Sequence, residues 1–522
     1  MYRRDLLRKS GATAVAITSP AFIGPLSGPI GSSETLTAFA AARNAGIKTY
    51  GDDNPSFLIP YEPAEDGEES QQRKSIREYV TSNDGRILRD LESVGMLAVS
   101  VPWDAVGRQS RFGLKYWSGG FDKLDYVEYA DANAVLSRPE TVNEFATSSE
   151  VSHDLNLRES ASMAISGTSS PNLDGLAFDG DAPEATLTEA RDLVRASDTF
   201  LSGIDTSGTI AESIDTGAND ESVFEDSSGT LRFLDPSTGY AKDGDPTVGA
   251  DGPSAVADGD GHGSWVTGCI AGSNGFGQSA DILVAKSLGD GGSGEVKDIA
   301  AGIELAVAES ADVVCLSLGS PQWSQSLADA LEEAWNAGVF PVVAVGNDRY
   351  ATTFVASPAS DDNAFGVNAT NVPESGDRDD AKIAYFGNVG PHPGNFDLSD
   401  GESRDATPKL AAPGMNVRVE PFGVKSGTSM AAPMVAGGAL VLAAEGYDNE
   451  EIWDRLTACA YPIPNAGVTE TEYGLLDVEA AVNGHEYEDS QEDVRNEAAI
   501  ARDEFNRGYA EVRGRTLGGL FS

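Results

Sequence analysis

The chain has 522 residues, too long for one typical domain and enough for about two to four. Asp plus Glu number 83 against 36 Lys plus Arg, and the resulting net charge of −47 repels phosphate backbones and excludes a nucleic-acid partner. The same imbalance strains the fold through self-repulsion in dilute buffer, which salt would screen.

Residues 1–45 read as an export segment with a small-residue linker. Arg3-Arg4 precedes a short apolar run, Ala12 to Ile23, which is too short for a bilayer span and is interrupted by Pro20. The pattern resembles a twin-arginine export signal, whose substrates leave the cytoplasm folded, with Ala38-Phe39-Ala40 as a candidate cleavage site. No Cys follows the run, so no lipid anchor is expected, and no later segment reads as a membrane helix.

Residues 56–134 read as a small α+β unit. Phe57-Leu58-Ile59 is a short strand broken by Pro60, Gln71 to Val80 a helix, and Met96 to Val101 a strand. A helix is expected to start at Pro102 to Val106, and Leu124 to Tyr129 to close the unit as a strand. Residues 135–185, rich in Ser, Asn, Asp and Gly, read as a linker or insertion.

From 186 to 483 strands and helices alternate, the rhythm of a mostly parallel sheet flanked by helices in an α/β fold. Strands are expected at Ala280 to Ala285, Val313 to Ser317 and Val339 to Ala344, with helices at Val296 to Ala308 and Ser326 to Ala337. The stretch 484–522 is charged and helix-prone and reads as a solvated helix without assigned function. Cys269, Cys315 and Cys459 sit in apolar surroundings without zinc spacing and read as buried small hydrophobes.

Four motifs carry chemistry. Gly427-Thr428-Ser429-Met430-Ala431-Ala432-Pro433 sets a serine at a tight turn leading into a helix. There the hydroxyl is exposed, and free amides can stabilise an oxyanion. His262, in His262-Gly263-Ser264-Trp265-Val266-Thr267-Gly268, supplies a general base. The other histidines, His153, His392 and His485, carry no motif.

Ile214-Asp215-Thr216-Gly217 offers an acid at a strand end to orient the imidazole, with Asp205 as the rival and Glu212 an anomalous charge in the strand. Asp-Thr-Gly also occurs in aspartic proteases, which need a second matched carboxylate that nothing else here supplies. Asn347, in Ala344-Val345-Gly346-Asn347-Asp348, is a side-chain amide in a glycine turn after a strand.

Together, in the order Asp, His, Ser, these motifs resemble the subtilisin-like serine protease family over about 186–483, and the acidic balance is similar to its secreted halophilic, halolysin-type members. Ser264, Trp265 and Thr267 replace the family's usual Thr, His and Ala beside the base. The resemblance implies a serine endopeptidase with the triad Asp215, His262 and Ser429, and Asn347 completing an oxyanion hole. It also implies a cleft edged by Gly292, Ser293 and Gly294 and by Ser317, Leu318 and Gly319, where polypeptide substrates pair as an added strand. Residues 56–134 then resemble the family's prodomain, an intramolecular inhibitor removed by self-cleavage somewhere after Ala134. No organic cofactor is implied; structural calcium is compatible with the resemblance, although no ligand pattern for it is present.

Overall fold

The computed structural model describes residues 49–50, 54–62, 70–102, 105, 124, 127, 130–138, 173–219, 231–234, 257–320, 323–349, 354–391 and 406–521. The export segment 1–45, the stretch 139–172 of the linker, His153 and His392 lie outside the described residues. Two compact units are present. The smaller comprises residues up to 136 with 294–304 and 324–330; the larger takes 137–293, 305–323 and 331–522.

In the smaller unit β1 (Asn54–Pro60) pairs antiparallel with β3 (Met96–Ser100), whose other edge takes β2 (Arg86–Leu91). α1 (Gln71–Ser82) turns Ile76 and Val80, one turn apart, into a core with Phe57, Ile59, Leu97 and Val99. Pro60 does not break the first strand; it ends it, opposite Met96. β2 escaped the sequence reading because its charges, half-exposed along Arg-Ile-Leu-Arg-Asp-Leu, mask the alternation. The closing strand is not where it was expected. The Val127 amide donates to the Leu124 carbonyl (3.0 Å), and β4 (Asp131–Ala132) is the strand that pairs with β1. Asp125, Tyr126, Glu128 and Tyr129 lie outside the described residues, as do Trp103, Asp104 and Val106 of the expected helix start.

In the larger unit eight strands run parallel. In chain order they are β5 (Ile210–Asp215), β6 (Leu231–Leu234), β7 (Asp281–Lys286), β8 (Val313–Leu316), β9 (Phe340–Ala344), β10 (Phe365–Thr370), β11 (Leu410–Pro413) and β12 (Gly474–Leu475). Across the sheet the order is β12-β11-β10-β9-β8-β5-β7-β6, so β5 is an interior strand paired on both edges. α2 (His262–Ala271) and α5 (Thr428–Ala444) belong to this unit, while the residues of α3 (Val296–Ala308) and α4 (Gln325–Asn336) divide between the two units. The expected strands and helices fall within one residue of those observed, because continuous apolar runs mark strands covered on both faces. α5 is buried from Thr428 to Leu442, as its apolar circumference requires, and Gly437 leaves room for Phe276, which a Cβ would meet at 2.5 Å. The three cysteines are buried and free. The expected linker ends early, since Leu176, Ala177, Phe178 and Ala182 already belong to the core.

The terminal helix departs from its expected solvated state. α6 (Glu497–Phe521) buries Arg502, Asp503 and Asn506. Arg502 donates to both carboxylate oxygens of Glu470 (2.7 and 3.0 Å), which also accepts from Arg349 at 2.5 Å. Asp503 accepts from the Thr469 and Val468 amides (2.9 and 3.0 Å). Charged residues therefore dock this helix by pairing, which a hydropathy reading misses. Burial alone would raise the Glu470 pKa, but Arg502 and Arg349 outweigh it and hold it at about 2.

Glu212 is the opposite case. It lies in β5 between Leu283 and Val314, fully buried, and neither carboxylate oxygen has a partner among the described residues. Burial, helped by Glu309, lifts its pKa well above the ordinary 4.5, so it is held as the neutral acid.

Two stability predictions follow from these carboxylates. Arg502→Leu leaves Glu470 short of a partner and should cost about 3–5 kcal/mol in denaturant unfolding at neutral pH. Because the Glu470 pKa is depressed, the loss should shrink as pH falls from 4.5 towards 2. For Glu212 the raised pKa reverses the sign: its contribution is complete below 4.5 and erodes as pH rises. Glu212→Leu should therefore gain about 1–3 kcal/mol at pH 8 and less near pH 4.5; a pH-independent difference would contradict the neutral-acid assignment.

Candidate active site

The carboxyl ends of the central strands converge on one place. Asp215 ends β5, and His262 opens α2. Both are fully buried, with His262 Nδ1 at 2.7 Å from Asp215 Oδ1 and 3.0 Å from Oδ2. A carboxylate can only accept, so Nδ1 carries the proton and Nε2 is the basic nitrogen. Nε2 is buried without a protein partner among the described residues. Asp205, the rival acid, lies exposed in a turn where its Oδ1 accepts from the Ser207 amide (3.0 Å).

The approach of α2 to β5 depends on Gly263, where a Cβ would come within 2.1 Å of the Gly217 carbonyl oxygen. Thr216 Oγ1 accepts from the Gly263 amide (2.9 Å) and donates to Asp258 Oδ1 (2.8 Å). Asp258 then gathers the loop before the histidine, accepting from the amides of Asp260 (3.0 Å), Gly261 (2.7 Å) and Ser264 (2.8 Å) and from Ser264 Oγ (2.7 Å). An anion at the first turn of a helix satisfies its open amides. Ser264 thus has a definite partner, and Trp265 is fully buried with its Nε1 donating to the Gly423 carbonyl (3.1 Å). Lys286, paired with Asp215 across the sheet, closes the other side by donating to the carbonyls of Thr216 (2.7 Å) and Ala257 (2.9 Å).

Ser429 is the second residue of α5. Pro433 lacks the amide that would bond the carbonyl four residues back, so the Ser429 carbonyl is left to accept from Ser317 Oγ at 3.0 Å. The Ser429 hydroxyl donates to the Ser317 carbonyl at 3.3 Å, which locks the serine to the end of β8. Asn347, beyond the end of β9, accepts through Oδ1 from the amide and hydroxyl of Thr428 (both 2.9 Å). That fixes its amide: Nδ2 is the donor end and lies beside Gly427, where a Cβ would come within 2.9 Å of it.

Of the residues expected to edge a cleft, Ser317 is bonded to Ser429, Leu318 and Gly319 follow it, and Gly292 precedes the strand Ser293–Glu295, which includes Gly294. Between these two stretches runs Ser137–Arg138. Gly319 donates to the Ser137 carbonyl (3.2 Å), Arg138 donates to the Gly292 carbonyl (2.8 Å), and the hydroxyls of Ser137 and Ser293 are 2.8 Å apart. Among the described residues no group of three or more His, Cys, Asp or Glu side chains could hold a metal ion.

The sequence reading did not single out Asp258 or the Ser317 hydroxyl. In sequence Asp258 stands in Asp258-Gly259-Asp260-Gly261, an Asp/Gly-rich stretch of a common surface pattern. The role of Ser317 follows from Pro433, because a helical proline always releases one carbonyl.

A sequence model described as the subtilase family matches residues 206–471, a stretch that includes Asp215, His262, Asn347 and Ser429. Subtilisin Savinase of Lederbergia lenta is 33% identical over 44% of this chain and 80% of its own length. The thermophilic serine proteinase of a Bacillus species (strain AK1) is 33% identical over 42% of this chain and 52% of its own length. The halolysin-like extracellular serine protease Nep of Natrialba magadii is 34% identical over 44% of this chain and 40% of its own length. This chain therefore spans about half the length of the latter two relatives.

Removing the Asp258 carboxylate should loosen the turn that carries His262. Asp258→Ala is expected to lower stability by about 1–3 kcal/mol, since several buried amides lose their acceptor. Asp258→Asn, which keeps one oxygen, should recover part of that loss; thermal unfolding of the two variants checks it.

Proposed function

The chain belongs to the subtilase family, and we propose that it is a secreted serine endopeptidase acting through Asp215, His262 and Ser429. The observation that carries this reading is the fully buried Asp215–His262 bond, with His262 on a helix packed against the one whose second residue is Ser429. Isolated, each group is common; a buried imidazole with a fixed tautomer and an Nε2 without a protein partner among the described residues, on a helix packed against the one that carries Ser429 near its start, supplies the groups that acyl transfer needs.

In this mechanism His262 Nε2 removes the Ser429 proton as the hydroxyl attacks a peptide carbonyl. Asp215 stabilises the imidazolium that forms. The Ser429 amide and Asn347 Nδ2 receive the oxyanion. His262 then protonates the leaving amine, and water, deprotonated by the same nitrogen, releases the acyl group. Substrate backbones pair with Gly292–Gly294 and Ser317–Gly319, so the substrate class is extended polypeptide. No organic cofactor enters. Calcium would serve structure alone, and no cluster among the described residues marks a place for it.

Residues 56–134 are read as a prodomain that assists folding and blocks the cleft until self-cleavage; the strand-like placement of Ser137–Arg138 supports this. Export by the twin-arginine route rests on Arg3-Arg4 and the apolar run after it. Among the described residues no helix is long and apolar enough to cross a membrane. The name of the halolysin-like extracellular relative and the net charge of −47 favour secretion into concentrated salt.

Casein hydrolysis and intact mass test the reading, at low and at multimolar salt. The wild type should cut casein, shorten itself and take up a fluorophosphonate at Ser429, with activity greatest at high salt. Ser429→Ala should remain full length and inert. Asn347→Ala should lose roughly 10²–10³ in turnover, the effect of removing this donor in the family. A folded wild type that neither cleaves nor labels would leave a binding module in place of an enzyme.

A further inference from the structure

The segment Ser137–Arg138 lies in the cleft of the larger unit as a substrate strand would. Ser137 forms an antiparallel bridge with Gly319, and the next amide, that of Arg138, donates to the Gly292 carbonyl. In an antiparallel pair, each step forward on one strand is a step back on the other. A polypeptide threaded in this register therefore brings the residue after the Arg138 position opposite Ser317. The Ser317 carbonyl is the one that accepts the Ser429 hydroxyl. The Arg138 position is thus second on the acyl side of the bond that Ser429 attacks.

At that position the cleft is fitted to a cation. Arg138 Nη2 lies 2.9 Å from Asp260 Oδ2, and the two side chains are only 20% and 10% exposed, so salt screens the pair weakly. The arginine stem runs over Gly292, where a Cβ would stand 2.7 Å from Nε, 2.9 Å from Cγ and 3.1 Å from Cδ. Gly292 also has a φ of +70°, so any other residue there would meet both strain and the stem. Asp260 is itself held, its amide bonded to Asp258 Oδ1 two residues before His262. Lys425 feels the same charges. Burial lowers its pKa, Asp260 counteracts that, and Arg138 adds to the lowering. In a chain this acidic a lone carboxylate carries no information. The fitted stem, the glycine beneath it and the paired guanidinium together do.

We propose that the cleft selects arginine or lysine at the second residue before the scissile bond, with Asp260 as the specificity-determining residue. The inference rests on the endopeptidase reading and adds to it a preference for basic polypeptide sites. The test uses protein expressed as the full chain and allowed to process itself, with four internally quenched peptides of one sequence, carrying Arg, Lys, Ala or Glu at that position. Wild type should favour Arg over Glu by about tenfold or more in kcat/KM, the scale of a largely desolvated charge pair. Asp260→Asn should bring the ratio close to one, and Asp260→Lys should turn it in favour of the Glu peptide. Equal cleavage of all four peptides by a wild type that labels with fluorophosphonate overturns the inference alone, as does a ratio unchanged in Asp260→Asn. Absence of both cleavage and labelling in folded protein overturns the endopeptidase reading and this inference with it.

Discussion

The contact between Asp215 and His262 constrains everything around it. A carboxylate and an imidazole both withdrawn from water are tolerated only when each satisfies the other, and here they do so at 2.7 Å. That bond demands that the first turn of α2 lie almost on the end of β5, which only Gly263 permits. It also demands a rigid frame for the loop before the helix, provided by Asp258 on one side and Lys286 on the other. The interior place of β5 supplies the rest, because a strand paired on both edges cannot shift its end residue without disturbing its neighbours.

The serine side is built by a different device. Pro433 denies the Ser429 carbonyl its helical partner, and Ser317 takes the vacant place while its own carbonyl receives the Ser429 hydroxyl. The end of β8 thus holds the Ser429 side chain and, two residues later at Gly319, pairs with Ser137. In the proposed mechanism, positioning and substrate pairing would share one short stretch, so the fold itself would set the distance between the Ser429 hydroxyl and the paired backbone. Thr428 and Asn347 hold the neighbouring donor in the same way, through an oxygen that can only accept.

The sheet was legible in the sequence wherever strands are covered on both faces, as in Val313–Leu316, since burial leaves an unbroken apolar run. Arg86–Leu91 was not, because a half-exposed strand bearing charges has no such signature. The residues now at the site carried short motifs that impose their own geometry: a glycine that lets two chains touch, a proline that frees a carbonyl. Asp258 was hidden because its importance lies in five acceptor bonds that exist only after the loop closes. The terminal helix misled for the converse reason. Arg502 and Asp503 read as surface charges until Glu470 and the Thr469 amide, distant in sequence, are brought against them. Glu212 stands out in sequence and in structure alike; its neutral burial is described above, but nothing in the fold explains why a carboxyl occupies that strand.

The central claim is that Asp215, His262 and Ser429 act as one unit, and a double-variant comparison tests it most directly. Peptide hydrolysis is measured for His262→Ala, Ser429→Ala and the variant carrying both, each shown to be folded. Groups that share one proton transfer lose their effect together, so the account predicts that the double variant is no slower than either single one. Losses that multiply, or a His262→Ala protein close to wild-type activity, would show that the histidine and the serine act independently and would contradict it.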